Sequence, residues 1–525
     1  GDDYTRTLYQ QSIRYLLVGD HDRSRELFTE YFDLNQSLYM RYEQQLNRSL
    51  RQSMYNEMIG DFNYQFNICS NQILNYSYWI FLKGRDLSSI NNLSSIIFNS
   101  QDTTLISNYE DWLILNKRIG SYYEKVNINS FDIDYLQYKK DSLEFHLTNK
   151  STLFAENQRY FYFDDISSNL KQDEVYIDLI NVFHFDFGDK YYFSDPIYYA
   201  YITKKGDESP QLVYLGTASE FDSIYNYYSN YTHERPSNKE FSYGDIVYGN
   251  ICYQNFWSKL EPYLEGVSTV YFSPEGVYSK INPNILYDSI SSSFLMDKYD
   301  IVYVSNVEDF VHQKENIQLY ERPGDLYAVL IGNPTFLLEE DVVVLASNEP
   351  QSRSINQDKL DSLQRGHILS QLNETQVEID LISDNLESKG WDVKVITGVD
   401  ATETRVKTIE APKILHIATH GFFFEDQEMV KRSNMISTDN KKAVANPMTR
   451  SGLIFSGAEN TMNGEILADD NGWLNSYEAS LLNLRGTELV VLSACETGTG
   501  DVQNGKGVYG LQRAIRVAGA ESLIM

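Results

Sequence analysis

Two short apolar runs constrain this chain more than any other feature. Ile414-Leu415-His416-Ile417-Ala418-Thr419-His420-Gly421 is one of them. Leu489-Val490-Val491-Leu492-Ser493-Ala494-Cys495-Glu496-Thr497-Gly498 is the other. Each is a stretch of β-forming residues that stops at a reactive side chain and a glycine. Runs this short and apolar suit strands buried on both faces, as in a parallel sheet covered by helices. Open sheets of that kind bind ligands beyond the carboxyl ends of their strands. An imidazole and a thiol are therefore expected at one sheet edge, as base and nucleophile.

The rest of the composition sets the frame. A chain of 525 residues exceeds a single core, so two or three domains are expected. With 74 acidic against 44 basic residues, the net charge of −30 repels phosphates and argues against direct nucleic-acid binding. It favours basic partners or simple solubility. No window approaches about eighteen uninterrupted apolar residues, so no membrane span is predicted. The start, Gly1-Asp2-Asp3-Tyr4, shows no charged-then-apolar leader. Three cysteines, Cys69, Cys252 and Cys495, make neither a disulfide framework nor a zinc cluster, which points to a reducing, cytoplasmic compartment. Cys69 and Cys252 read as ordinary buried thiols. No cofactor and no metal are expected.

Proline and glycine divide the chain. None of the 11 prolines precedes Pro196, and few glycines lie before residue 150, so helices can run there. Tyr9, Ile13, Leu16 and Leu17 mark one apolar stripe and Leu27, Phe28, Tyr31 and Phe32 a second. The break Val18-Gly19-Asp20-His21-Asp22 joins them as a helical hairpin. Tyr39, Tyr42, Leu46, Leu50, Met54 and Met58 continue at spacings of three and four on a longer helix. Further helices are predicted over Gln72–Lys83, Thr104–Val126 and Asp132–Leu147. The hairpin could end a repeat array. Beyond about residue 155, strands are predicted at 175–180, 197–202, 212–215, 268–272 and 300–304, with a helix near 251–264. This α/β alternation implies crossover helices and carries no Cys–His pair at its strand ends.

A third segment opens with the strand 326–334. The polar stretch Ser347–Gln364 reads as a surface loop, and Asn373 as the cap of an amphipathic helix through Val377, Ile379, Leu381, Ile382 and Leu386. A strand at 393–396, a helix at 401–410 and the two strands carrying His420 and Cys495 follow. That order, with glycines at the turns, predicts a doubly wound parallel sheet. Two polar insertions, Glu425–Arg450 and Ala458–Trp473, lie between His420 and Cys495 and could form substrate walls.

The chemistry follows from the residue types. A thiol is mostly protonated at neutral pH until a nearby imidazole takes its proton. The N–H groups of Gly421 and Cys495 would form an oxyanion hole. His416 and His420 are four apart, a zinc-site spacing on a helix, but on a strand they stand about 13 Å apart and cannot share one ion. His416 is better read as a core histidine or one supporting the site. Gly500-Asp501-Val502-Gln503-Asn504-Gly505-Lys506-Gly507 nearly fits a phosphate loop. Gly507, however, replaces the Mg²⁺-binding hydroxyl, and Asp501 sets a carboxylate against the phosphates. A nucleotide-binding switch at Gly500–Lys506 stays as an alternative.

The residues also resemble a known family. His416–Phe422, Ser451–Gly457, Gly464-Glu465-Ile466-Leu467, Gly486–Gly500, Gly507–Ala514 and Ala518–Met525 are together similar to the CHAT family, caspase-like cysteine peptidases related to separases and often found behind tetratricopeptide repeats. The likeness extends more weakly upstream, where Val270–Asn284 resembles the family's non-catalytic half. The resemblance implies an α/β caspase-like fold of doubly wound, mostly parallel sheets, preceded by an all-α region. On this reading residues 1–152 are the helical, repeat-like region. Residues 153–320 are the non-catalytic half and residues 321–525 the catalytic half, cut short at its end. The resemblance also implies His420 as general base, Cys495 as nucleophile, and Gly421 and Cys495 as oxyanion donors. Ser493 and Asp501 are candidates for the substrate pocket, where an acidic lining would select Arg or Lys. Relatives usually carry Pro-Gly-Thr where this chain has Leu372-Asn373-Glu374-Thr375.

The implied activity is an endopeptidase cutting a protein partner in trans, in bacterial defence or programmed cell death, with a gasdermin-like target as one example. The helical region would bind a regulatory protein. A non-enzymatic partner-binding scaffold is the competing class.

Overall fold

The computed structural model describes residues 2–42, 48–68, 71–83, scattered positions between 102 and 147, 161–186, 192–193, 195–234, 243–314, 326–338, 354–355, 369–423, 451–462, 471–494, 501–503 and 507–525. The chain forms two compact units. One comprises Gly1–Ser89, Glu144–Ile317 and Val502–Gly507, and the other Ile90–Leu143, Gln318–Asp501 and Val508–Met525.

The first unit begins with helices α1 (Asp2–Leu17), α2 (His21–Tyr42), α3 (Arg48–Ile68) and α4 (Gln72–Leu82). Gly19 takes φ +82°, where only glycine sits without strain, and its N–H returns to the Leu16 carbonyl. The Asp20 carboxylate then accepts the Arg23 N–H and caps α2. These two residues make the predicted hairpin. The buried stripe of α1 is Thr5, Leu8, Ser12 and Leu16, one step round from the expected one, and Leu17 is exposed. Small Ser12 lets the helices close, and its carbonyl accepts the Ser24 hydroxyl at 2.8 Å. Tyr39 and Tyr42 belong to α2, while Met54 and Met58 ride on α3. The expected single long helix is therefore two, with residues 43–47 and Cys69 outside the described residues.

Helix α5 (Phe163–Asn169) leads into a five-stranded sheet. Its strands are β1 (Glu174–Val182), β2 (Ile197–Lys204), β3 (Gln211–Thr217), β4 (Thr269–Ser273) and β5 (Asp300–Tyr303), in the order β3-β2-β1-β4-β5. The β1–β4 and β4–β5 pairs are parallel, but β1–β2 and β2–β3 are antiparallel. Crossovers were expected throughout. The β1–β2 link, however, is a short ladder of Phe185–Asp186 on Tyr192–Phe193, and β2–β3 turns through Gly206, so neither holds a crossover helix. Alternation along the strands splits the core. Tyr176, Ile180 and Tyr201 pack with α1–α4 and with α8 (Val307–Lys314). Val175, Ile177 and Ala200 pack with α6 (Ala218–Glu234) and α7 (Tyr243–Cys252).

A buried ion pair crosses the first of these cores. Lys83, just past α4, points its ammonium at Asp178 of β1 (2.6 Å) and at the carbonyls of Leu179 and Ser273 (both 3.1 Å). The side chains are 3% and 1% exposed, and the three acceptors match the three ammonium protons.

The second unit is built on a fully parallel sheet. Its strands are β6 (Tyr327–Pro334), β7 (Asp392–Gly398), β8 (Ile414–Ala418), β9 (Leu489–Ser493) and β10 (Ser522–Ile524), in the order β7-β6-β8-β9-β10. Leu330 and Ala418 pack with Ile379 of α9 (Asn373–Ser388). Leu415 and Ile417 pack with Val406 of α10 (Glu403–Lys407) and with Ala514 and Ile515 of α11 (Leu511–Val517). Asn373 is the first residue of α9 and not its cap. Instead Thr375 turns its hydroxyl back onto the Leu372 carbonyl, and Val377 and Leu381 face outward. Among the described residues no helix is long and apolar enough to cross a membrane.

Two predictions follow from the first unit. Lys83→Met should lower its stability by about 3–5 kcal/mol by stranding a buried carboxylate, while Lys83→Met with Asp178→Leu should recover much of it. Denaturant unfolding of the three chains checks this. The second concerns Asp61 of α3, buried and bonded by the Tyr31 hydroxyl at 2.5 Å. Burial pushes its carboxyl up to about 7, against the opposing Tyr31 bond and with help from Glu57. A raised folded pKa contributes stability in full below the unfolded value of about 3.9, and loses it as pH rises through 7. Asp61→Asn should therefore match wild type near about pH 4 and exceed it at about pH 8 by up to about 4 kcal/mol.

Candidate active site

The register of the parallel sheet brings the two signature runs level. Ile414 pairs with Leu489, and the ladder runs in step to Ala418 opposite Ser493, so β8 and β9 end side by side. Their separation is that of neighbouring strands, about 4.8 Å. His416 and Ala418 share the face under α9, and His416 Nε2 meets Glu378 Oε1 at 2.9 Å. This histidine is buried and tied to a helix.

Past Ala418 the chain leaves the sheet at a corner. Thr419 and His420 are both wholly buried. The next residues form β11 (Gly421–Phe423), which joins a second sheet with β12 (Ser451–Ile454) and β13 (Trp473–Asn475), residues 354–355 completing it. The corner is pinned from β12. The Ile454 N–H donates to the His420 carbonyl at 3.0 Å, and the Thr419 hydroxyl donates to the Ile454 carbonyl. The Ile454–His420 bond carries the β11–β12 ladder one step beyond the Gly421–Leu453 pair. Gly421, opposite Leu453, consequently turns its N–H away from β12, toward the side where Ser354 pairs.

The imidazole itself is oriented by two groups the sequence did not disclose. Its ring lies against Phe336, centroids 5.2 Å apart, and Nε2 is 3.0 Å from the Ser370 carbonyl. A carbonyl can only accept, so Nε2 carries the proton. In the neutral ring the lone pair is then on Nδ1, which is the basic atom. Phe336, Leu369, Leu372, Phe422, Ile454 and Ala458 form the apolar cluster around this corner. No local motif announced Ser370, because a backbone acceptor has no residue signature. The Phe422, Gly452-Leu453-Ile454-Phe455 and Trp473-Leu474 pattern is the only hint of the second sheet.

The other predicted residues fall differently. Ser493 is the last residue of β9 and is half-buried. Cys495 and residues 496–500 lie outside the described residues, as do Lys506 and residues 425–450. Asp501 opens a short strand, Asp501–Gln503, and its side chain is outside the described set. The second insertion is shorter than expected, because Ala458–Met462 is helical and Trp473 begins β13. Cys252 is 1% exposed, and burial pushes its thiol up to about 12, as suits a packing residue. Among the described residues no cluster of three or more His, Cys, Asp or Glu could hold a metal ion.

Gly452 is where the second sheet is tightest. A Cβ there would strike the Leu474 carbonyl and the Phe422 ring. Gly452→Ala is expected to cost about 1–3 kcal/mol through overpacking and to displace the strand that pins His420, read as a lower melting temperature.

With this geometry in place, the comparison with known families is specific. The CHAT domain family model matches residues 248–525. No curated protein matches the chain.

Proposed function

We propose, from the premise that this chain belongs to the CHAT domain family, that it is a cysteine endopeptidase acting through Cys495 and His420. The family is of the caspase-like cysteine-protease type. The observation that carries the reading is the level ending of β8 and β9, with His420 buried beyond one and its Nε2 bound to the Ser370 carbonyl. Covalent geometry keeps the Cα of residue 495 within about 7.6 Å of that of Ser493. The doubly wound reading is supported by the strand order β7-β6-β8-β9-β10, in which the winding order reverses between β6 and β8, the kind of switch point beyond which such sheets bind ligands.

The chemistry is that of acyl transfer. His420 Nδ1 takes the Cys495 proton as sulfur attacks the scissile carbonyl, and the resulting oxyanion is held by the Cys495 N–H, the Gly421 N–H being turned toward the strand of Ser354. The imidazolium returns that proton to the departing amine, leaving a thioester. Nδ1 then deprotonates a water that attacks the thioester, releasing the new carboxyl end and restoring the thiol. The Ser370 carbonyl stabilises the imidazolium and keeps the lone pair on Nδ1. Ser493 and Asp501 lie on the chain segments flanking the nucleophile, and an acidic lining there favours a basic residue before the cut. The substrate is a protein met in trans, with α1–α4 as the surface for a regulatory protein. Family resemblance supports a role in bacterial defence or programmed cell death, with a gasdermin-like target as one case.

A thiol-reactive peptide probe tests this directly. Wild type should be labelled at Cys495 and not at Cys252, and Cys495→Ala should not react. His420→Ala should slow labelling by at least about 100-fold. Equal labelling rates for wild type and His420→Ala would favour a partner-binding scaffold instead.

A further inference from the structure

We propose that Gln371 is a positioning residue for the base: clamped to the bulged end of β6, it holds the Ser370 carbonyl on His420 Nε2. The proposal rests on His420 being the base. Three observations carry it.

First, β6 does not end as a regular strand. Its register with β7 shifts between Gly332 and Pro334, and Asn333 at that point has φ +48°, a left-handed conformation that asparagine tolerates. Second, the bulge presents a nest of acceptors, and Gln371 takes them. Its Nε2 donates to Asn333 Oδ1 at 2.5 Å and to the Pro334 carbonyl at 2.8 Å, with the Asn333 carbonyl more distant at 3.4 Å. Third, the other flank of Ser370 is also tied. The Leu369 N–H donates to Glu459 Oε1, and the Glu459 N–H donates to the Phe336 carbonyl at 3.0 Å. Phe336 is the ring that packs on His420.

Ser370 therefore lies between two polar ties, and its own carbonyl is the one on the imidazole. Leu369 and Leu372, both buried, would hold this segment at the right depth. Apolar burial has no direction, however, and cannot fix where a carbonyl points. Hydrogen bonds can, because they weaken steeply off axis. Losing the Gln371 donors frees the Ser370 peptide to rotate, and Nε2 loses the partner that keeps its proton there.

The experiment reads the tautomer of His420 by nuclear magnetic resonance on the full chain with labelled histidine, assigned by comparison with His420→Gln. Wild type should be mainly the Nε2–H form. Gln371→Ala and Gln371→Met should both shift the population toward Nδ1–H and slow probe labelling of Cys495 by about tenfold. Asn460→Ala, which removes the pair of bonds between Asn460 and Leu338, should lower the melting temperature without changing the tautomer. An unchanged tautomer in folded Gln371→Ala overturns the proposal. If that variant melts early, Gln371→Met, which keeps the stem without the donors, decides. Loss of fold in both makes Gln371 a structural strut and also overturns it. A shifted tautomer in a chain whose wild type never labels leaves the clamp standing and removes the peptidase reading.

Discussion

The in-step parallel pairing of β8 with β9 is the constraint on which everything at the site depends. Five consecutive residue pairs, Ile414–Leu489 to Ala418–Ser493, run without a bulge. A slip of one residue would exchange the two faces of a strand. It would turn His416 into the core that Leu415 and Ile417 now fill, and draw the corner at Thr419 out of line with the end of β9. Register in this sheet is protected because both faces are buried, by Ile379 on one side and by Ala514 and Ile515 on the other.

Given that register, the second sheet does the orienting. Residues leaving a parallel sheet usually enter a loop, yet here the chain passes straight from Ala418 through two buried residues into β11. His420 is consequently held by strand pairing on its carbonyl side and by the Ser370 segment on its ring side. A buried imidazole fixed by a neutral acceptor keeps one tautomer without a second charge, whereas a carboxylate in the same place would be costly to bury.

Much of this was legible in the sequence, and the parts that were not have physical reasons. The signature strands, the hairpin at Gly19 and α9 followed from local periodicity and turn chemistry, which depend on residues near each other. The antiparallel half of the first sheet was missed because the connections around Tyr192–Phe193 and Gly206 decide strand direction, and short strands with turns read alike in either topology. Leu17 looked like part of an apolar stripe, but Ser12 sets the helix crossing, and its contribution is smallness and not hydrophobicity. At the site His420 stood out as a side chain at a strand end. Ser370, Gln371 and Asn333 did not, since they act through backbone carbonyls and a bulge separated by dozens of residues.

The ladder between β11 and β12 carries a consequence for how such a chain can diversify. Phe422 faces Gly452 and Phe423 faces Ser451, and the pairing closes on itself before the intervening segment, residues 424–450, begins. Loop closure becomes only slowly more expensive as a loop grows. The ladder fixes the spacing of residues 423 and 451 whatever length of chain joins them, so a change of length there leaves the strand that pins the His420 corner in place.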